Sequence, residues 1–589
     1  MRRLALSLAA ALCLTALAPA ARAAEADPKA LALQARAVFK KYCIECHHGE
    51  GSEGGNFDVL RVATLTVKRE RKPPLVVPGK SAESYLYAEK LAKGKMPPDY
   101  IRDKDQRPTA ADIEVIKNWI DAGAPEAPAA EKRTFVSQKV VLTAIRDHLR
   151  AADKEQVKYL RYFTLTHLYN NPRVPDGDLP VYRAALSKAI NSLSRKPGIV
   201  VPKAVDKEQT VFAIDVRDLD WDKGNLWREV LKEYPYGLSY GNHADPEMRK
   251  LQDEINERAH CELIDVRADW FVATATRPPL YHTLLRLPKN ARELEKELNV
   301  DFEHNFLNDK LARAGFITSG VSGQNRLVER HDANHGAYWK SYDFKKENAR
   351  DDLLRFPLGP HFAKNPYRDQ AFVHDGGEII FHLPNQLNGY LLVDGKDNRI
   401  DAGPIAVVSD PLKTSGTNEI VTGLSCMACH KHGIFPLPKD AIRDGKAVFG
   451  EADKKVRRLY PEQAAMDKLA KKDAERFLRA LEEATGPFLK VGADKDKPIT
   501  DFTEPVGEIA RLYRLVDLDL TMVACELDIE NPKDLLTKLG DKQVRALKLG
   551  ALLQEGGVVK RAEWERVGAT SLLQRVAREL ERGTPLQLP

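Results

Sequence analysis

The sequence predicts a multidomain chain: an all-α N-terminal domain, a larger mixed α+β region, and a mainly helical C-terminal part. Three observations predict this. The chain has 589 residues, more than one hydrophobic core usually serves. A Cys-x-x-Cys-His pentapeptide occurs twice, at Cys43–His47 and Cys426–His430, 383 residues apart. Apolar residues recur at helical spacing around the first copy, alternate between strand-like and helical patterns in the middle, and return to helical spacing after the second. The expected boundaries are 1–23 for an export leader, 24–127, 128–433 and 434–589.

The repeated pentapeptide carries the chemistry. Cys-x-x-Cys-His is the attachment signature of c-type haem. The two thiols add across the porphyrin vinyl groups, and the histidine lies under the iron as proximal ligand. Four of the seven cysteines fall in these motifs. A structural zinc site would need four nitrogen or sulfur ligands. Only Cys261 and Cys525 remain outside the leader, and they do not make a further Cys-x-x-Cys pair. A redox dithiol would follow a βα pattern, and neither motif does. Two haems are therefore expected, on Cys43, Cys46 and His47 and on Cys426, Cys429 and His430.

The N-terminus points to the same chemistry. Arg2 and Arg3, the apolar run Leu4–Leu17 and the small residues of Ala21-Arg22-Ala23 read as a secretory signal peptide. Covalent haem c is attached outside the cytoplasm, so a periplasmic protein without a membrane span is expected. Cys13 would leave with the leader. The remaining Cys261 and Cys525 could pair in an oxidising compartment, and spacing alone does not decide it. Losing Arg2, Arg3 and Arg22 takes the 91 basic residues to 88 against 85 acidic, a net charge of +3. That balance excludes a nucleic-acid binder.

In the first domain, Leu31, Leu33, Val38, Phe39 and Tyr42 form a helix-like apolar stripe leading into Cys43. A second helix is expected from Thr109 to Ala122. Thr109 caps it, Asp112 stands at the third position, Ile113, Ile116 and Ile120 share a face, and Gly123 stops it. Two helices beside a haem are the minimal cytochrome c plan. Met96, in Gly94-Lys95-Met96-Pro97-Pro98, is the candidate sixth ligand, since a thioether suits ferrous iron and raises its potential. His48 competes but adjoins His47 and would have to reach the opposite haem face. Gly79-Lys80-Ser81 looks like the end of a phosphate-binding loop, but Pro74 stands where that loop needs glycine.

Several of these pieces resemble the planctomycete-type cytochrome c domain of secreted bacterial proteins. They are Cys43–His47, Pro78-Gly79 with Ser84, Lys95-Met96-Pro97-Pro98, and Trp119-Ile120-Asp121-Ala122-Gly123-Ala124. The resemblance covers about 90 residues. It implies a cytochrome c-like fold, His47/Met96 ligation and electron transfer, in a domain appended to a larger module.

Ala124–Ala130 reads as a linker. Thr134 to Arg195 is expected to be helical, Thr210–Val216 a strand, and Leu280–Gly315 helical. A strand is expected around Ile379-Ile380-Phe381, then a hairpin from Leu391–Val393 through Asp394-Gly395 to Arg399-Ile400. The part beyond His432 reads as helical, interrupted at Gly486-Pro487. The pieces Asn325-Arg326, Glu329-Arg330-His331, Tyr338-Trp339 and His374–Glu378 before Ser425-Cys426 resemble other large secreted c-type cytochromes of unsettled activity.

His430 is the expected proximal ligand of the second haem. Candidates for its distal position are His304, His331, His335, His361, His374, His382, Met466 and Met522. His374 leads, because Asp375-Gly376-Gly377 forms a tight turn behind it, and His331 follows. Arg326 and Arg330 suit haem propionates, since guanidinium grips carboxylate with two prongs. Arg330-His331 could instead polarise a peroxide bond.

Three functions stay open. The first is electron transfer to and from a redox partner protein or a small donor or acceptor. The second is a peroxidase-like oxidoreductase with an open or weakly ligated second haem. The third is a binding module with accessory haems. Gly320-Val321-Ser322-Gly323 lacks the spacing of a serine-nucleophile elbow.

Overall fold

A computed structural model describes residues 27–44, 46–49, 57–69, 73–98, 107–127, 133–317, 325–345, 350–405, 409–410, 414–565 and 570–586. The leader and the Gly320–Gly323 segment lie outside the described residues. The chain divides into two compact units, 1–43 with 59–128 and 44–58 with 129–589. No described helix is long and apolar enough to cross a membrane.

In the first unit, helix α1 (Pro28–Tyr42) starts at Asp27, whose carboxylate accepts from Lys29 N, with Pro28 at the first helical position. It buries Leu31, Ala35, Val38 and Phe39. Helix α2 (Ala110–Asp121) opens on a capping box: Thr109 Oγ1 accepts from Asp112 N, and the Asp112 carboxylate accepts from Thr109 N. The helices meet where the Phe39 and Trp119 rings stand edge to face, centroids 5.4 Å apart. Tyr42 Oη donates to Asp112 Oδ2 at 3.0 Å. The loop that resembled a phosphate-binding turn is tied down instead. Ser81 N and Oγ both donate to Asp121, and Gly79 N donates to Ile120 O.

The second unit has two main sheets. Helix α3 (Gln138–Ala151) precedes strand β1 (Leu160–Thr164), helix α4 (Leu179–Ser192) and strands β2 (Lys203–Ala204) and β3 (Val211–Asp215). Helix α5 (Pro246–Ala259), strand β4 (Asp265–Arg267) and helix α6 (Ala268–Ala275) follow. The sheet order is β2-β3-β1-β4, with β4 parallel to β1. Leu160, Tyr162, Val211 and Ala213 pack on Leu142, Ile145 and Ile255 of α3 and α5. Phe163, on the reverse face, meets Phe271 of α6 at 4.8 Å. The helical expectation for 134–195 thus fails at β1, which is buried at all five positions. A strand covered on both faces has no alternation for a periodicity argument to find.

The larger sheet is a six-stranded antiparallel meander in chain order. Its strands are β5 (Leu311–Phe316), β6 (Arg326–Ala333), β7 (Gly336–Asp343), β8 (Gly376–His382), β9 (Asn388–Asp394) and β10 (Arg399–Ile400). The expected strand at Ile379 and the hairpin to Arg399 are present, with Leu392 opposite Ile400. The expected helix to Gly315 ends earlier, at Leu307, and Leu311 opens β5. Helix α7 (Leu424–Cys429) carries the second pentapeptide. Helix α8 (Gln463–Leu489) runs through Gly486 and Pro487 without the expected break, and helix α9 (Pro505–Leu515) follows. Pro487 removes the N–H that would donate to Glu483 O, and only two residues of α8 follow it.

Candidate functional site

The two pentapeptides are held differently. Cys43 sits at the C-terminal cap of α1, its N–H donating to Phe39 O at 2.9 Å. The following turn is short, with His47 N donating to Ile44 O. The His47 ring stacks on Phe57, centroids 4.5 Å apart, and a two-rung antiparallel pair sets His48 opposite Asp58. Met96 is half-buried, in the turn that leaves a single π-helical segment, Leu86–Leu91.

The second motif is built into a sheet-and-helix wall. Ser425 anchors the start of α7: its Oγ accepts from Val421 N and donates to Asp410 Oδ2. Cys426 is 1 % exposed, and burial pushes its thiol well above the ordinary value. The His430 N–H closes the helix on Cys426 O at 2.8 Å. His430 Nδ1 lies 3.1 Å from Gly433 O. A carbonyl oxygen only accepts, so Nδ1 is the donor and Nε2 is left for a metal, the arrangement in which a histidine ligand is held by its other nitrogen. Gly433 has φ +88°, and a Cβ there would stand 3.2 Å from the Phe477 ring of α8. Glycine thus lets the chain turn back under the imidazole.

Cys426, Cys429 and His430 open onto a cavity of about 540 Å3 between α7 and one face of the meander. That volume falls within the roughly 300–1,000 Å3 of small-molecule and cofactor sites. Its walls include Val328, Trp339, Ile380, Leu392, Ile400 and Phe435. Polar groups gather at Arg326, Asp343 and Glu378. Arg326 Nε donates to Asp343 Oδ1 at 2.6 Å. Glu378 Oε2 stands 3.5 Å from His430 Nε2. Burial alone would raise the Glu378 carboxyl. The neighbouring His430, Cys426 and Arg326 outweigh it and bring it down to about 2. An apolar chamber with two thiols and one oriented imidazole on its wall fits a covalently attached haem.

Of the sequence candidates, the structure brings Arg326 to the cavity with Cys426, Cys429 and His430. Arg330 is not a wall residue; it pairs with Asp473 of α8 at 2.8 Å and with Asp332. His374 does not line the cavity. Its ring meets Tyr342 at 5.0 Å, and its Nε2 is 3.9 Å from Asp397, on the reverse face of the sheet. The pleat explains this: Ser341 and Asp343 face the cavity and Tyr342 between them faces away. His331 is on that reverse face too, bonded to Glu329 at 2.8 Å. His335 holds a left-handed position in the β6–β7 turn, φ 68°. His382 accepts from Ala337 N, and its Nε2 lies 3.2 Å from Asp473 O. None of the eight distal candidates lines the cavity. Sequence reasoning missed Glu378, whose signal was its alternate spacing with Gly376 and Ile380 on one strand face. Cys261 and Cys525 are unbridged; Cys261 Sγ donates to Leu263 O at 3.1 Å.

Residues 43–100 match the family Planctomycete cytochrome C. The match begins at the first motif cysteine and passes Met96. A cytochrome c domain binds haem covalently and serves electron transfer, so haem-based redox chemistry belongs to this part of the chain. Domains of this type are typically exported. No curated protein and no solved structure matches the chain.

Proposed function

We propose that this chain is a periplasmic dihaem c-type cytochrome that transfers electrons between a redox partner and a second haem in its larger unit. When bound, each haem supplies an iron that exchanges single electrons. Cys43, Cys46 and His47 would hold the first haem, with Met96 as its sixth ligand; the family match and the motif spacing support this. Cys426, Cys429 and His430 would hold the second. The observation that carries the reading is the cavity of about 540 Å3 onto which the second motif opens, with His430 oriented by Gly433 O. Much of its wall is apolar, and Arg326 supplies a cation suited to a propionate. Arg330, engaged with Asp473, does not enter this role.

The test is haem stoichiometry. Protein made in a host that matures c-type cytochromes should carry two haems per chain by intact mass and pyridine haemochrome. The Cys426→Ser/Cys429→Ser double variant should carry one. One haem on the unaltered chain refutes the reading.

A second reading has its own support. Among the described residues, the cavity wall has no histidine besides His430 and no methionine. A second haem without a strong distal ligand suits a haem-dependent oxidoreductase acting on a small substrate such as a peroxide. A ferric haem that binds cyanide would favour that reading; two inert low-spin haems would favour electron transfer alone.

A further inference from the structure

We infer that Glu378 is the sixth ligand of the second haem iron in its ferric state, an assignment that rests on the dihaem reading above. Haem attachment would change the surroundings of one carboxylate. Glu378 stands on β8 facing the cavity, its side chain 18 % exposed. It faces two groups of the motif across the cavity wall, His430, whose Nε2 is 3.5 Å from Oε2, and the Cys426 thiol.

Both are consumed together. Cys426 gives up its S–H as it adds to a vinyl group, the sulfur bonding one carbon and the hydrogen the other. His430 Nε2, the nitrogen 3.5 Å from Glu378 Oε2, becomes the proximal ligand and has no proton to share. Glu378 would then face the cavity with Arg326 as the nearby cation, and Arg326 is already engaged by Asp343. A carboxylate withdrawn from water needs a cation or donors.

The other carboxylates on this wall keep their partners. Asp343 stays with Arg326, Asp375 accepts from Lys345 N, and Asp394 accepts from Lys396 N and Asn398 N. Lys340 Nζ is held by Asp397 at 2.7 Å. Among the described wall residues, only Glu378 both faces the groups that haem attachment consumes and stands opposite the ligating nitrogen. An iron bound by His430 Nε2 is the cation that can replace what it loses. An anionic oxygen also favours ferric over ferrous iron, so the site would hold its ligand when oxidised and release it more readily when reduced.

The experiment compares the full-length holoprotein with Glu378→Gln, Glu378→Ala and Glu378→His. Haem count by intact mass comes first, then electron paramagnetic resonance of the ferric protein and potentiometric titration of both haems. With two haems attached, Glu378→Gln and Glu378→Ala should change the ferric signal of one haem and raise its midpoint potential, leaving the other unmoved. Glu378→His should convert that haem to a low-spin, bis-imidazole signal. Two haems with ferric signals and potentials matching the parent in Glu378→Gln and Glu378→Ala overturn this assignment alone. A single haem on the parent chain overturns the dihaem reading and this assignment with it. Glu378→Gln keeps the side-chain shape, so the comparison does not depend on the shorter variant folding.

Discussion

Glu329 shows how a single carboxylate can anchor the sheet behind the cavity. Its side chain is 1 % exposed and takes hydrogen bonds from Arg313 Nε at 2.7 Å and Tyr342 Oη at 3.1 Å, with His331 Nε2 at 2.8 Å. Burial would raise its carboxyl, but the Arg313 and His331 charges prevail and lower it to about 2. A folded value below the unfolded one means stability that is complete above the ordinary glutamate range. That stability is lost as pH falls from about 4 towards 2. Glu329→Gln should therefore cost roughly 3–5 kcal/mol at neutral pH, because Arg313 stays buried without its counter-charge. Urea unfolding at pH 7 and pH 3 should show the deficit shrinking in acid. Asp265 behaves in the opposite sense. Burial raises its carboxyl to about 6 despite help from Arg267. Its folded value lies above the unfolded one, so stability is lost as pH rises from about 4 to 6. Asp265→Asn should add about 1–2 kcal/mol at pH 7 and almost nothing at pH 4, by the same unfolding measurement.

Between elements, the second motif depends on how closely α9 approaches α7. A Cβ at Gly507 would lie 2.8 Å from Ala428 Cβ and 2.9 Å from Glu504 Oε2. Ala428 has no flexible end to swing aside. Glu504 is itself fixed by Lys188 of α4 at 2.6 Å, with both side chains buried. Gly507→Val should force α9 away from the haem-motif helix, costing about 1–3 kcal/mol. It should also lower the haem-to-protein ratio through the second motif while the first stays loaded. Full loading with an unchanged urea midpoint would count against this contact. On the same sheet face, Asp473 of α8 accepts from Arg330 Nε at 2.8 Å and Trp339 Nε1 at 3.0 Å. That pairing explains why Arg330, so close to Arg326 in sequence, serves packing and not the cavity.

For the whole molecule, the proposal makes the two haems separable. Met96 lies in the first unit and the cavity in the second, so each can be altered alone. Met96→Ala should lower the potential of one haem, because the thioether favours ferrous iron, and leave the other unchanged. Potentiometric titration reads both; if neither midpoint moves, Met96 is not a ligand.

How much of this was legible in the residues follows from the range of the forces involved. The two pentapeptides, the Thr109 capping box, the helix leading into Cys43 and the Leu391–Ile400 hairpin are local patterns, and local stereochemistry writes them into the sequence. Strand β1 was hidden because both of its faces are covered, and β5 because its neighbours in space, not its own period, make it a strand. The distal side of the second motif was hidden for a related reason. His374 and Glu378 lie four residues apart, and their sequence surroundings are equally suggestive. Glu378 lies on β8 facing His430, whereas His374 lies before that strand begins at Gly376, escapes its pleat and rests against Tyr342 and Asp397 on the reverse side. By itself the sequence determined where haem could be bonded to the chain, because attachment needs only five adjacent residues. Only the tertiary structure decided which side chains share the cavity with His430, because they come from strands dozens of residues away whose pleat and pairing settle which of them turn inward.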